Sequence, residues 1–142
     1  MWTPIQANSS MPIYEQIMAQ VVAVIASGGL KPNDYLPSIR EMAGLMLVNP
    51  NTVSRAYRDL EQAGLIISVR GTGMLVRDEA VERTPAILSQ MLRYRFRPIL
   101  RDALAYGIDP QDLTDVFEEE LDAMLSERNE GLSNQNSKSD SD

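Results

Sequence analysis

The stretch VNPNTVSRAYRDLEQAGLI, residues 48–66, decides how the rest of the chain is interpreted. Asn49 is a strong helix N-cap because its side-chain oxygen can accept a hydrogen bond from a free backbone N–H. Pro50 has the fixed φ that suits a first helical residue, and Gly64 tolerates the left-handed conformation that often ends a helix. These signals predict a helix with a polar start. Apolar residues at helical spacing form its buried stripe: Val53, Ala56, Tyr57 and Leu60.

A second helix is predicted immediately before this one. Ser38 and Glu41 form a capping box, in which each side chain can bond the backbone N–H of the other residue. The inner face of the helix is predicted to consist of Ile39, Met42, Ala43 and Met46. Only Val48 and Asn49 separate the two predicted helices. Two short helices with such a tight connection are typical of a helix-turn-helix motif.

The flanking segments complete a winged helix-turn-helix. Pro12 suits the first position of an earlier helix, which Gly28 ends and a short connector, residues 30–37, follows. The buried face of that helix is predicted to comprise Ile13, Ile17, Val21 and Val24. Residues 65–70 and 74–77 are apolar and partly β-branched, with a glycine-rich turn between them. They predict a two-stranded hairpin, the wing.

Two further helices are predicted after the wing. Thr84 and Pro85 provide a cap and a first residue for one of them, and Pro98 is expected to kink or divide it. Asp109 and Pro110 provide the same kind of start for the other.

The chain ends in a polar segment that is rich in Ser, Asn and Asp and nearly without apolar anchors, so we expect it to be disordered. The predicted parts are therefore a winged helix-turn-helix domain at residues 1–77, a helical dimerisation region at residues 78–128 and a disordered tail at residues 129–142. The predicted fold class is mostly α with a small β-hairpin wing.

The residue types limit the chemistry that the chain can perform. Its 142 residues include no Cys and no His, which excludes a disulfide framework, a thiolate zinc site and an imidazole base or metal ligand. Carboxylates such as Asp112 and Asp115 remain for acid–base work, but no nucleophile motif, glycine-rich phosphate loop or metal constellation occurs. We therefore expect no enzyme activity, no cofactor and no metal site.

The net charge of −7 is distributed unevenly. Residues 1–77 hold six Lys and Arg against five Asp and Glu, residues 78–128 hold six against twelve, and residues 129–142 hold one against three. The first part can therefore present a locally positive face to a phosphate backbone. The longest apolar run, residues 21–26, is far shorter than the roughly 20 residues of a membrane span, and the N-terminus lacks a signal-peptide pattern. We expect a cytoplasmic protein with no membrane partner.

Four motifs of the first half recur together: Leu-Pro-Ser-x-Arg at 36–40, Asn-Thr-Val at 51–53, Leu-Glu-x-x-Gly at 60–64 and Gly-Thr-Gly at 71–73. Their order and spacing resemble the winged helix-turn-helix of GntR-family bacterial transcription regulators. Because only about fifty predicted folded residues follow the wing, the chain is similar to the short-tailed YtrA subfamily. The resemblance implies a dimeric DNA-binding repressor.

A helix-turn-helix protein reads DNA with residues near the start of its second helix, which enters the major groove. Asn51 can pair with adenine and Arg55 with guanine, each through two hydrogen bonds. Both residues lie off the buried stripe, so burial does not explain them. The predicted DNA-binding residues are Ser38, Arg40, Asn49, Asn51, Thr52, Ser54, Arg55, Arg58, Arg70, Gly71, Thr72 and Gly73.

Several of these residues also have a purely structural explanation. Asn49 is better explained as a cap than as a reader of bases. The resemblance implies that Arg40 contacts DNA, and the alternative is a surface ion pair with Glu41 or Asp34. Arg58 either binds a phosphate or faces solvent. The wing glycines can serve both a turn that needs positive φ and an approach to the minor groove.

The C-terminal helices carry apolar stripes that a two-helix hairpin cannot bury alone. We expect a second copy to cover them, so that two modules in two-fold symmetry read a palindrome with half-sites ~34 Å apart. The alternative is that these stripes pack back on the winged domain of the same chain. The predicted dimerisation residues are Leu88, Leu92, Phe96, Ile99, Leu113, Phe117 and Leu121.

The sequence thus predicts a homodimeric, sequence-specific transcription regulator that binds double-stranded DNA. We expect a repressor that occupies a palindromic operator and is released by a small-molecule effector. The competing interpretation is a winged-helix protein-interaction module that does not bind DNA and docks a basic partner. The polar helix start and the Gly-Thr-Gly wing favour DNA, and a steep loss of affinity with salt would discriminate between the two.

Overall fold

The structure, a computed structural model, describes residues 1–139. The elements of this part of the chain are α1 (Ile13–Ala26), α2 (Ile39–Met46), α3 (Pro50–Gln62), β1 (Ile66–Val69), β2 (Gly73–Val76), α4 (Ala80–Ala105) and α5 (Pro110–Ser139). The predicted fold class, mostly α with a hairpin wing, is confirmed. The chain divides into two compact units, Met1–Arg93 and the part from Tyr94 onward, so the division lies within α4 rather than after residue 77.

Three helices and the hairpin form the core of the first unit. α3 packs against α1 and α2 and also contacts β1. Tyr57 of α3 is buried, and its hydroxyl donates to the Pro37 carbonyl at 2.7 Å. Burial, with the Glu41 carboxylate as a smaller cause, raises the pKa of Tyr57, which keeps this hydroxyl a neutral donor.

The inner face of α1 differs in part from the prediction. Ile17 and Val21 are buried as expected, but Ile13 is exposed and Val24 is half-buried. The buried residues of the helix are Ile17, Val21, Val22 and Ile25. The second half of α1 is apolar on every face, so its spacing alone could not select the buried one.

The caps of α2 and α3 form at the predicted residues, although among the hydrogen bonds of residues 1–139 only the Ser38 half of the capping box is present. The Ser38 hydroxyl accepts from the Glu41 N–H at 3.1 Å, and the Asn49 carboxamide oxygen accepts from the Asn51 N–H at 2.8 Å. Between the two helices, Leu47 adopts the left-handed conformation with φ of 55° and is 91% exposed. Three residues rather than two therefore form the turn.

The wing is larger than the predicted hairpin. β1 and β2 pair antiparallel from Ile66 opposite Val76 to Val69 opposite Gly73. The connector before α2 adds to β2, since the Leu36 N–H donates to the Met74 carbonyl and the Val76 N–H donates to the Asp34 carbonyl, each at 2.9 Å. These bonds tie the wing to the start of the helix-turn-helix.

The end of α3 is closed by a glycine and an arginine. Gly64 has φ of 81°, and a Cβ at this position would collide with the Arg83 guanidinium of α4. Arg83 also forms an ion pair with Glu79 at 3.7 Å, and Glu79 accepts from the Arg77 side chain at 2.9 Å. The positive φ is the backbone requirement for glycine here, and Arg83 occupies the space that its missing side chain leaves.

α4 begins before the predicted cap. Ala80 is fully buried in the core, and Thr84 is buried inside the helix instead of capping it. Pro85 has no N–H for the Val81 carbonyl, but the Thr84 hydroxyl donates to that carbonyl at 2.8 Å. Pro98 does not divide the helix.

The predicted disordered tail is helical as far as the structure describes it. α5 runs to Ser139, which corrects the prediction for residues 129–139; residues 140–142 lie outside the described part. Every residue from 129 to 138 is exposed, so the expected lack of apolar anchors holds. No proline follows Pro110 in this helix, so each later residue keeps its backbone donor. The Ser133 hydroxyl donates to the Asn129 carbonyl at 3.0 Å.

Candidate nucleic-acid interface

The start of α3 is an exposed polar surface. Asn51 and Arg55 face solvent about one turn apart, and Thr52 and Ser54 beside them are half-buried. The opposite face of the helix is held against the core by Val53, Ala56, Tyr57 and Leu60. Burial of that stripe fixes the rotation of α3, so its polar residues point outward.

Asn49 acts as the cap of this surface. Its carboxamide oxygen bonds the Asn51 N–H, and its backbone carbonyl accepts from the Thr52 N–H at 3.0 Å. The side-chain oxygen of Asn49 is therefore used by the helix cap, as the structural explanation of this residue predicts. The helix N-terminus that it caps carries a partial positive charge, which favours a nearby phosphate.

Arg55 has an aromatic neighbour that sequence reasoning missed. Its guanidinium carbon lies 3.8 Å from the ring centroid of Tyr14 in α1. The contact joins residues 41 positions apart, so no local motif could reveal it. Tyr14 lies on the buried face of α1, three residues before Ile17, and it packs against the core. Its position in the sequence therefore gave no signal of a contact with Arg55.

Arg40 and Arg58 are exposed on α2 and α3. Within residues 1–139, Arg40 forms no ion pair with Glu41 or Asp34 at 4.0 Å or less. The Asp34 carboxylate instead accepts from the Lys31 N–H at 2.8 Å. The alternative explanation of Arg40 is therefore not supported by the geometry.

The tip of the wing is an exposed turn held by its own hydrogen bonds. The backbone N–H and the hydroxyl of Thr72 both donate to the Val69 carbonyl, at 3.0 and 3.1 Å. Gly71 and Gly73 have φ of 81° and 131°, so both glycines serve the turn. Arg70 is exposed at this tip.

Two further contacts position the wing. The Ser68 N–H donates to the Glu61 carboxylate at 2.8 Å, which links β1 to the end of α3. The wing turn and the start of α2 both line an open groove of about 480 Å³. Its lining includes Trp2, Tyr35, Ser38, Glu41, Thr72 and Gly73. The structure therefore brings Ser38 together with the Gly-Thr-Gly turn.

The predicted dimerisation residues fall into two groups. Leu88 and Leu92 belong to the first unit, where Leu88 is half-buried against the core and Leu92 is exposed. In the second unit, Leu113 is half-buried, and Phe96 packs edge-on against Phe117 with centroids 6.0 Å apart. The remaining side chains of this unit's set are exposed: Phe96, Ile99, Phe117 and Leu121.

Other kinds of site find no support in the described part. Within residues 1–139, no group of three or more carboxylates could hold a metal ion. No helix in the same range is both long and apolar enough to cross a bilayer.

Comparison with known proteins identifies the family. Residues 13–76 match the bacterial regulatory proteins of the gntR family. The chain is 36% identical over 115 residues to the HTH-type transcriptional repressor YtrA of Bacillus subtilis. The aligned region covers 81% of this chain and 88% of YtrA. The chain belongs to the GntR family. Members of the GntR family regulate transcription and are not enzymes, and the resemblance to YtrA is confirmed.

Two solved structures share the architecture of this GntR-family chain. A GntR family transcriptional regulator from Listeria monocytogenes is 30% identical, with a TM-score of 0.58 over 79% of this chain and 97% of that one. YtrA from Sulfolobus acidocaldarius, a GntR-family transcription factor, is 40% identical, with a TM-score of 0.50 over 71% and 95%. The residues that match the family model, 13–76, all lie within the first unit.

Proposed function

We propose that the chain is a sequence-specific DNA-binding repressor that acts as a homodimer on a palindromic operator. The observation that carries this proposal is the exposed polar start of α3, where Asn51 and Arg55 face solvent above a buried stripe. Amide and guanidinium groups are the side chains that pair with adenine and guanine in the major groove. The repressor named YtrA, similar over most of both chains, supports a repressing role.

Backbone contacts would come from the elements around this helix. Arg40, Arg58 and Arg70 are exposed cations on α2, α3 and the wing. Each can neutralise one phosphate, and such contacts fix the protein on the duplex without reading sequence. The supply of positive charge in one copy is small, so a single copy would bind weakly.

A second copy is the partner that the second unit favours. Among residues 94–138 only Ala103 is buried, and large apolar side chains such as Ile99 and Phe117 remain in contact with water. Burying apolar area contributes about 25 cal/mol per Å², so covering these faces would stabilise a dimer. Two reading helices in two-fold symmetry then match a palindromic site.

The effector is the last part of the proposal. The open groove that Ser38 shares with Thr72 and Gly73 has room for a small molecule. A ligand there would occupy space next to Ser38 and Thr72, two of the predicted DNA-binding residues, and would therefore compete with DNA. We expect such a ligand to raise the melting temperature of the free protein and to lower its operator affinity.

Selection of bound sequences from random DNA tests the proposal. We expect an enriched palindrome, and an affinity for it, measured by fluorescence anisotropy, that falls steeply as salt rises because phosphate contacts release counterions. Absence of any enriched sequence, together with weak binding that salt does not change, would refute DNA binding and favour the protein-interaction module. An enriched site without two-fold symmetry would refute the palindromic dimer alone.

A further inference from the structure

We propose that Tyr14 is a positioning residue that holds the guanidinium of Arg55 ready to read a base, an inference that rests on the DNA-binding function proposed above. The Arg55 guanidinium carbon lies over the Tyr14 ring, 3.8 Å from its centroid. At this distance the cation is attracted by the negative face of the aromatic ring. The contact connects the reading helix α3 to α1, which packs against it.

Stacking leaves the donors of Arg55 free. A guanidinium is planar, and its five N–H groups point outward in that plane, whereas the ring contact uses one face. Within residues 1–139, the Arg55 guanidinium forms no ion pair at 4.0 Å or less. A pair with O6 and N7 of guanine needs two in-plane donors, so the arginine can stack on Tyr14 and read a base at once.

Two carboxylates lie near Arg55 in the sequence or the structure, and neither of them forms an ion pair with it. Asp59 lies four residues after Arg55, the usual spacing for a helical ion pair, yet the two do not pair. Glu15 accepts a hydrogen bond from the Tyr14 hydroxyl at 3.2 Å. A carboxylate partner would occupy the donors that a base requires, whereas the tyrosine ring restrains Arg55 and leaves its donors available.

The restraint should strengthen recognition of the base that Arg55 reads, in addition to the packing of Tyr14 against the core. A free arginine loses rotamer freedom when it pairs with a base, and part of that loss has already occurred in the stacked side chain. Removing the ring should therefore weaken the contact that depends on Arg55 and leave the phosphate contacts unchanged. Tyr14 would in this way determine how strongly one base pair of each half-site is discriminated.

The test uses the full chain and the operator obtained by selection. The base pair read by Arg55 is identified as the one at which Arg55→Ala loses discrimination. Affinities of Tyr14→Phe, Tyr14→Leu and Tyr14→Met are then measured on the operator, on the operator changed at that base pair, and on unrelated DNA. We expect Tyr14→Phe to match the unsubstituted protein. Without the ring face, we expect a roughly 3- to 10-fold loss on the operator in the Leu and Met variants, and little change on unrelated DNA.

A double-mutant cycle separates positioning from a structural role. In an Arg55→Ala background, Tyr14→Leu should have no further effect on operator affinity, since the residue acts through Arg55. Additive losses, or equal losses on all three DNAs, would overturn the inference, as would Leu and Met variants that bind and discriminate like the unsubstituted protein. Failure of the unsubstituted protein to bind any selected sequence would instead refute the proposed function.

Discussion

The two units of this chain differ in how far their apolar side chains are buried. The first unit buries Ile17, Val21 and Leu60 completely inside a single chain. In the second unit, side chains of the same kind, such as Ile99 and Leu121, remain exposed, and within residues 94–138 only Ala103 is buried. The difference indicates that the first unit buries an apolar core of its own, whereas the described part of the second unit leaves most of its apolar side chains exposed.

The strongest test of this contrast removes a side chain from the core of the first unit. Leu60→Ala should lower the free energy of unfolding by about 2–5 kcal/mol, because Leu60 is fully buried and a cavity would remain. Chemical denaturation at several protein concentrations measures the loss. The cost should not depend on concentration; a strong dependence would show that the first unit is not stable by itself.

A matched change in the second unit should act on association. Phe117→Ala removes an exposed ring that packs on Phe96, and we expect it to weaken the dimer by about 2 kcal/mol or more if this face is the centre of the interface. Sedimentation across micromolar concentrations measures the shift to a single copy. Arg97→Ala is the control on the same helix as Phe96. Unchanged association in Phe117→Ala would place the interface elsewhere.

The same substitution in each unit should separate reading from association. Arg55→Ala should weaken operator binding by about 1–3 kcal/mol and relax specificity at one base pair, because a pair of hydrogen bonds to a base is lost. Arg97→Ala removes an equal charge from the second unit and should leave specificity intact. Anisotropy titrations with the selected operator compare the two; equal effects would contradict the division of roles.

The smallest predicted effect is a gain in stability. Leu47 is 91% exposed with φ of 55°, so its side chain contributes little packing while its backbone is held in a conformation that suits glycine. Leu47→Gly should raise the free energy of unfolding by about 0.5–1 kcal/mol, and sedimentation should be unaffected. A loss of stability would show that the greater freedom of glycine in the unfolded chain outweighs the relief of backbone strain.

Local signals in the sequence were sufficient for much of the first unit. The caps at Ser38 and Asn49 and the turn at Gly71 and Gly73 depend on residues within a few positions, so composition and spacing could predict them. The exposed start of α3 followed from its buried stripe for the same reason. The sequence therefore predicted that the start of α3 is exposed, but it did not predict the contacts that its side chains make with other elements.

The errors share a dependence on distant residues. α4 starts early because Ala80 is buried by the core, and the connector becomes part of the wing through bonds to β2. The stacking of Arg55 on Tyr14 and the bond from Ser68 to Glu61 likewise join separate elements. The length of α5 was missed for another reason, since a polar composition indicates a lack of anchors but does not forbid helical hydrogen bonds.

The C-terminal end of α3 limits which amino acids position 64 can accept. At Gly64 the positive φ disfavours any side chain, and a side chain there would also have to displace the Arg83 guanidinium. Gly44, by contrast, has open space around its missing Cβ and an ordinary helical backbone. We therefore expect substitution to be costlier at position 64, where the backbone strain would persist after Arg83 had moved, than at position 44.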